Sequence, residues 1–593
     1  MKIFSKSWLS SHGVAVVLIA LFTLLIYANS LENRFVWDDY LVIADNDFVK
    51  SPQNLPLLFS PKYLTSPSRI DDLSVSAIGS GEASYRPVVT FTYFLDYQFW
   101  KLNPFGYHRA NVGWHLLNGF LLYFLAHYIT TDPKTALLTA LLFVTHPVHS
   151  EVVNVVSLRE DLLALFFMAL AFLLYIKRHQ YKAGGIKWVF FLGICLFYLL
   201  ALFSKESAIT LIGGIFVYDY LFIYGKNLRD IFVHRKRFYA VLLAISFFYL
   251  WVWSGPMARP ADFVAAYPSG HWWGNVLVMA KILITDLVWL VFPLAAHVVI
   301  PTDTAWAAEA LKTPIYCLLL IALIGFFCLA IKRRQMSRAA LFAVGWFVLT
   351  LLPVLNVLPL QNIIAARYLY VPSFGFCLLI AMGLRRIEEL RIAATPNVPQ
   401  GRGRDLIFIL LIFFSVVTIV RNYTWENELT FRLQLQRDYP SDPAVYKTLG
   451  AALMRMGLDN RAIEAFRKAI QLDPNDAIYY NDLGIAYSRQ GKMAEATEQF
   501  QKAVERDASL KQSWNNLCNV LAVQKQWPKT IACFSRLIEH HPGFVEAYFN
   551  LGIAYVKMGN REKAEECFKN ALMIDPDYQP ATHSLQQIKT GQL

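Results

Sequence analysis

The run Ser11-His12-Gly13-Val14-Ala15-Val16-Val17-Leu18-Ile19-Ala20-Leu21-Phe22-Thr23-Leu24-Leu25-Ile26-Tyr27-Ala28 holds no Asp, Glu, Lys or Arg. It leads into Phe35-Val36-Trp37-Asp38-Asp39-Tyr40, with Asn46 and Asp47 close behind. Its length and apolarity suit a bilayer crossing. Lys2 and Lys6 precede it and no convincing cleavage site follows, so it reads as a retained span, not a removed signal peptide. The polar stretch that follows, to about Tyr107, then opens on the membrane surface. Two adjacent carboxylates beside a Trp are what a hydroxyl-activating site needs there. One acts as general base while the other orients the acceptor or tunes its neighbour. The same residues also fit a Trp at the lipid–water boundary followed by a solvated, helix-starting acidic pair.

Working outward, further apolar runs centre near 108–129, 135–147, 158–176, 187–203, 207–224, 237–254, 276–294, 313–332, 338–358, 367–387 and 404–421. With 56% hydrophobic residues, 15% aromatics and a mean hydropathy of +0.38, the chain is too apolar for a soluble globule. The +12 formal charge would suit nucleic acid, but its Lys and Arg collect in short loops between runs. Four loops, Lys177-Arg178…Lys187, Lys226…Lys236-Arg237, Lys332-Arg333-Arg334…Arg338 and Arg385-Arg386…Arg404, hold eighteen Lys and Arg against Asp230, Glu388 and Glu389. By the positive-inside rule these are cytoplasmic, and no nucleic-acid face is expected. Register between 237 and 332 is kept if 276–294, with Lys281 and Asp286 mid-run and Pro293 at its end, does not span. That predicts eleven spans, the N-terminus cytoplasmic and the C-terminus outside. The seven Cys are scattered without a CxxC, so neither a disulfide framework nor a zinc site is expected.

After Arg421 a period of 34 residues begins. Gly450, Gly484 and Gly552 share a slot with Cys518; Gly457, Gly491 and Gly559 share another; Phe466, Phe500, Phe534 and Phe568 a third. Ala469, Ala503 and Ala571 follow, and Pro474, Pro542 and Pro576 close their units. Small residues where helices cross, an aromatic filling the gap and a closing Pro are the tetratricopeptide pattern. The expected organisation is all-α: a polytopic membrane domain over 1–421 with its first outer loop at 30–106, a linker and half repeat over 422–442, four repeats over 443–576, and a cap helix and tail over 577–593. A stacked solenoid presents a concave surface suited to peptide or protein, though it also serves as a spacer or dimerisation arm.

The remaining polar motifs fall on the outer side. His146-Pro147-Val148-His149-Ser150-Glu151 offers metal-ligand types, but Pro147 breaks the helix between them. Hydrogen bonding to a polar ligand or the backbone, or interfacial packing, are the alternatives, and no metal is expected. Arg159-Glu160-Asp161 either faces a ligand or pairs internally, as does Lys205-Glu206. Arg367, in Ala366-Arg367-Tyr368-Leu369-Tyr370-Val371-Pro372-Ser373, stands at an outer span end against the positive-inside trend, which favours an anion. Carboxylates for an acceptor hydroxyl beside cations at head-group level suggest displacement of a lipid-linked phosphate by a hydroxyl. Arg367, Lys205 and Arg159 are then candidates for the donor phosphate. His146, His149, Glu151, Asp161, Glu206 and Tyr368 are candidates for positioning substrate.

In this order the motifs resemble those of the transmembrane and tetratricopeptide repeat-containing O-mannosyltransferases. The resemblance implies the C-type glycosyltransferase fold and a polyprenyl-phosphate sugar as donor, a hexose such as mannose, with no nucleotide sugar at the site; a divalent metal is possible but not predicted. It also implies a Ser or Thr acceptor in an extracytoplasmic protein, held through the repeats, and inversion at the sugar carbon. Asp38 maps to the base, and Asp39 to an acceptor-positioning role. About four repeats and a compact first loop depart from the animal members. Those departures favour a bacterial inner-membrane protein working on the periplasmic side, the endoplasmic reticulum lumen being the alternative. A non-enzymatic membrane scaffold recruiting proteins through its repeats is the competing reading.

Overall fold

The computed structural model describes residues 6–60, 63, 85–180, 185–255, 275–296, 315–332, 336–357, 362–394 and 405–590. Among these the regular elements are all helices, and the chain divides into two compact units, Met1–Phe431 and Arg432–Leu593.

In the first unit, helix starts follow their caps. Asp132 accepts from the amides of Lys134 and Thr135 ahead of Pro133, starting Pro133–Thr145, and Asn103 caps Pro104–Thr130 through Phe105. Pro147 forces His146 into an extended conformation (ψ 127°), so Pro133–Thr145 ends there and Pro147–Asn154 continues at 48° to it. Close crossings use small residues: a Cβ on Gly119 would stand 2.6 Å from Val144 Cγ1. Phe172, Tyr218, Phe342, Trp346 and Phe374 form a buried aromatic cluster. The outside is apolar: Val17, Leu25, Trp188, Phe247 and Ile412 are all more than 60% exposed. Exposed apolar side chains of this kind are what a lipid-facing surface carries.

Among the described residues, three helices are long and apolar enough to cross a membrane: Glu206–Ile223, Leu228–Ser254 and Asp405–Trp425. The bent pair makes a fourth, and shorter apolar helices run over His12–Ile26, Ile186–Leu202, Ile315–Ala330 and Arg338–Val354. Pro104–Thr130 and Arg159–Gln180 have the length; His108 and Arg109 stand within the first, while Arg159, Glu160 and Asp161 occupy the first turn of the second, ahead of the uncharged run 162–176. Asn275–Val291 is helical, with Lys281 and Asp286 buried and Val276, Val288 and Val291 exposed, so one of its faces packs against protein.

The second unit is a set of helix pairs: Pro443–Arg455 with Asp459–Leu472, Ala477–Arg489 with Met493–Arg506, Lys511–Val523 with Trp527–His540, and Val545–Lys557 with Arg561–Ile574. Gln579–Lys589 follows the last pair. The repeat slots have physical roles. A Cβ on Gly450, Gly484 or Gly552 would fall 2.5–2.7 Å from the ring of Phe466, Phe500 or Phe568. Tyr446, Tyr480 and Trp514, one period apart, each donate to the carbonyl six residues back, of Pro440, Pro474 and Ala508. Gly457, Gly491 and Gly559 turn each pair at φ +74° to +76°, and Lys525 takes that turn at φ 58° in the third repeat. The third repeat also departs at its close-packing slot. Cys518 replaces the glycine and forms a disulfide with Cys533, fifteen residues on. This corrects the expectation of no disulfide: linear spacing hides a pair that two antiparallel helices bring face to face.

Candidate active site

The loop after the first apolar helix is fixed by Asp39. Its side chain is fully buried, with Oδ1 accepting the Ser157 amide at 2.7 Å and Oδ2 the Val36 amide at 3.2 Å. Burial lifts its carboxyl to about 7, against the pull of those main-chain donors. Asp39 therefore anchors the loop to the 156–158 turn and turns no oxygen toward an acceptor in this conformation. Asp38 is half-buried. The sequence left the two acids interchangeable; burial separates them.

Trp37, the residue before Asp38, carries the Arg367 guanidinium over its ring at 5.4 Å, and Tyr368 lies under the same guanidinium at 5.2 Å. Glu151 holds Arg367 twice, through NH1 at 2.7 Å and through the main-chain N–H at 3.1 Å. Lys205 extends the cluster, 2.5 Å from Asp161, 3.9 Å from Glu160 and 5.8 Å from the Tyr368 ring. Arg86 closes it, donating to Glu160 at 3.1 Å and to Glu206 at 3.3 Å. So Trp37, Glu151, Glu160, Asp161, Lys205, Glu206, Arg367 and Tyr368 form one linked set beside Asp38. Arg367, Lys205 and Arg86 each face carboxylates, and one oxygen of Glu160 is buried without a hydrogen bond among the described residues.

Three candidates fall outside this set. Arg159 is fully buried and committed: Nε to Asn111, NH1 to Asp96 at 2.6 Å and to Thr92, NH2 to the Tyr107 carbonyl, with Tyr93 beneath. It ties the loop helix Pro87–Trp100 to the bundle, pairing with Asp96 and not with Asp161. His146 and His149 are fully buried and bind their own scaffold. His146 Nε2 meets the Leu290 carbonyl, while His149 bridges the Phe143 carbonyl and Ser373 Oγ. Among the described residues no group of three or more His, Cys, Asp and Glu could hold a metal ion.

The sequence reading passed over Arg86 and Glu428. Arg86 could have been found by the signal that marked Arg367, an arginine at the outer start of an apolar helix, here just before Pro87. Glu428 accepts the Trp37 amide at 2.7 Å from 391 residues away, and no sequence spacing shows that.

Tetratricopeptide repeat profiles match residues 459–491, 477–506 and 545–578. The crystal structure of MamA, 26% identical, covers 26% of this chain and 90% of its own, with a TM-score of 0.25. A Caenorhabditis elegans protein named protein O-mannosyl-transferase is 26% identical over 78% of this chain and 64% of its own length. The human protein O-mannosyl-transferase TMTC1 is 26% identical over 78% of this chain and 55% of its own. The chain thus spans between half and two thirds of the length of these curated relatives. Over more than three quarters of its sequence, this protein is similar to proteins named protein O-mannosyl-transferases.

Proposed function

We propose that the chain is a membrane glycosyltransferase that moves a hexose, mannose by similarity, from a polyprenyl-phosphate donor to a Ser or Thr hydroxyl of an extracytoplasmic protein. The observation that carries the reading is the half-buried Asp38 next to Trp37, on whose ring the Glu151-paired Arg367 rests. The names of the relatives support the same activity.

The acceptor oxygen attacks the anomeric carbon from the face opposite the phosphate, giving inversion. The carbon–oxygen bond to phosphate breaks, and its electron pair stays on the phosphate oxygen. The acceptor proton passes to the Asp38 carboxylate. Arg367 and Lys205, with Arg86 behind them, stabilise the departing phosphate. Arginine has five donors, so Arg367 can hold Glu151 and still offer N–H groups to a phosphate. The loop anchor Asp39 keeps its neighbour in place.

Eleven spans, fixed by the basic loops, put this cluster and the repeats on the outer face. The Cys518–Cys533 disulfide supports that side for the repeats, because such bonds persist in oxidising compartments. The bacterial periplasm and the endoplasmic reticulum lumen both meet that condition. The repeats present the acceptor polypeptide, as stacked helix pairs commonly do. Reconstituted protein given polyprenyl-phosphate mannose and a Ser/Thr-containing polypeptide should add hexose to it, seen by intact mass. A protein that binds the polypeptide but adds nothing would leave a membrane scaffold.

A further inference from the structure

Trp37 has φ 52°, the left-handed region that a bulky aromatic rarely occupies. Something must hold it there, and besides the Arg367 guanidinium over its ring the segment after the last apolar helix does. Glu428 accepts its amide at 2.7 Å. The ring of Phe431 lies 5.8 Å from the Trp37 ring at 31°, and Trp425 stacks on Phe431 at 5.2 Å and 22°. The Arg34 amide donates to the Glu426 carbonyl at 2.8 Å, tying the loop to the same segment one step earlier. Trp425, Phe431 and Glu428 are all buried. The loop is therefore fixed on both sides of one residue. Trp37 is held by the segment after the last apolar helix, Asp39 by the 156–158 turn, and Asp38 lies between them.

We infer that Glu428 is a positioning residue for the transfer: by accepting the Trp37 amide it holds the strained turn that sets where the Asp38 carboxylate stands. The inference rests on the proposed glycosyl transfer. It makes the 425–431 segment part of the active site, though it lies about 390 residues from the loop it holds. Without the acceptor at 428 the Trp37 backbone relaxes toward an ordinary conformation and carries Asp38 with it. A base displaced by about an ångström can cost on the order of 100-fold in rate.

The test uses the full-length protein in detergent or vesicles, with polyprenyl-phosphate mannose and the acceptor polypeptide. Glu428→Ala should lower kcat about 10- to 100-fold while donor affinity and acceptor KM stay within about twofold. Glu428→Gln keeps an oxygen at the same reach and should restore most of the turnover; Glu428→Asp, one methylene shorter, should not. The pH profile of Glu428→Ala should keep its shape, since the base is moved and not replaced. If Glu428→Ala fails to fold, the Gln and Asp variants decide between them. Wild-type kcat in Glu428→Ala, or a Glu428→Gln as slow as the Ala or Asp variant, overturns the inference. Asp38→Asn is assayed alongside. If it is inactive while Glu428→Ala turns over normally, only the positioning role fails. If Asp38→Asn is fully active, the transfer chemistry assigned to this loop fails first.

Discussion

Exchanging Glu151 for Gln separates two roles that Arg367 could have. The pair is buried, with the Arg367 and Glu151 side chains 8% and 3% exposed, and it is joined by a 2.7 Å contact plus a main-chain hydrogen bond. Breaking a buried pair from one side typically costs about 3–5 kcal/mol, because the other charge stays behind without compensation. Glu151→Gln should therefore lower the thermal midpoint markedly. The cation it leaves is the one assigned to the donor phosphate, so donor binding should tighten in the same variant, by up to about tenfold. Arg367→Ala should also lower the midpoint, since it strands Glu151, but should weaken donor binding. Losing one charge-assisted hydrogen bond is worth about 1.5–3 kcal/mol, or roughly 10- to 150-fold in donor Kd. Binding of polyprenyl-phosphate mannose, measured by competition in nanodiscs below either variant's midpoint, reads both. If Glu151→Gln weakens donor binding as Arg367→Ala does, the pair serves folding alone.

Other expectations are more local. A topology reporter after Val420 should read extracytoplasmic and one near Gln335 cytoplasmic; the same side for both would break the eleven-span arrangement. Cys518→Ser should lower the stability of the repeats by about 3 kcal/mol, the figure for closing a loop of about fifteen residues, and an unchanged melting transition would mean the bond is absent. Asp39 titrates near 7 when folded, above its ordinary value. Its contribution to stability is therefore fully present below about pH 4 and is lost as pH rises through about 7. Asp39→Asn should flatten the thermal midpoint over that window, and an unaltered slope would assign the pH dependence elsewhere.

The repeats were legible because one packing problem recurs every 34 residues and is solved by the same residue types. Gly484 must be small where Phe500 crosses, and Gly491 must turn at positive φ. The disulfide was not legible, since Cys518 took a glycine slot and its partner had no slot of its own. At the site, the sequence marks positions by chemistry but does not show which partners a buried charge takes. Arg159 and Arg367 look alike as arginines at the starts of apolar runs. Yet Arg159 is spent on Asp96, Asn111 and Thr92 beneath the loop, while Arg367 lies against Trp37 beside Asp38. His146 and His149 stand out by their ligand chemistry, and both are taken up by their own scaffold, the Leu290 and Phe143 carbonyls and Ser373 Oγ. Partners brought together over hundreds of residues, such as Trp37 with Glu428, leave no local pattern.

Asp38 is assigned the acceptor's proton. The most direct measurement is single-turnover transfer by purified wild-type, Asp38→Asn and Asp39→Asn proteins, with hexose addition read by intact mass and donor binding measured on the same samples. Asn keeps the size of Asp but takes no proton at neutral pH. Asp38→Asn should therefore bind donor normally and transfer about 10²–10⁴ times more slowly. Asp39→Asn should keep more of its rate and lose stability instead. Wild-type transfer by Asp38→Asn, with an inactive but folded Asp39→Asn, would contradict the assignment.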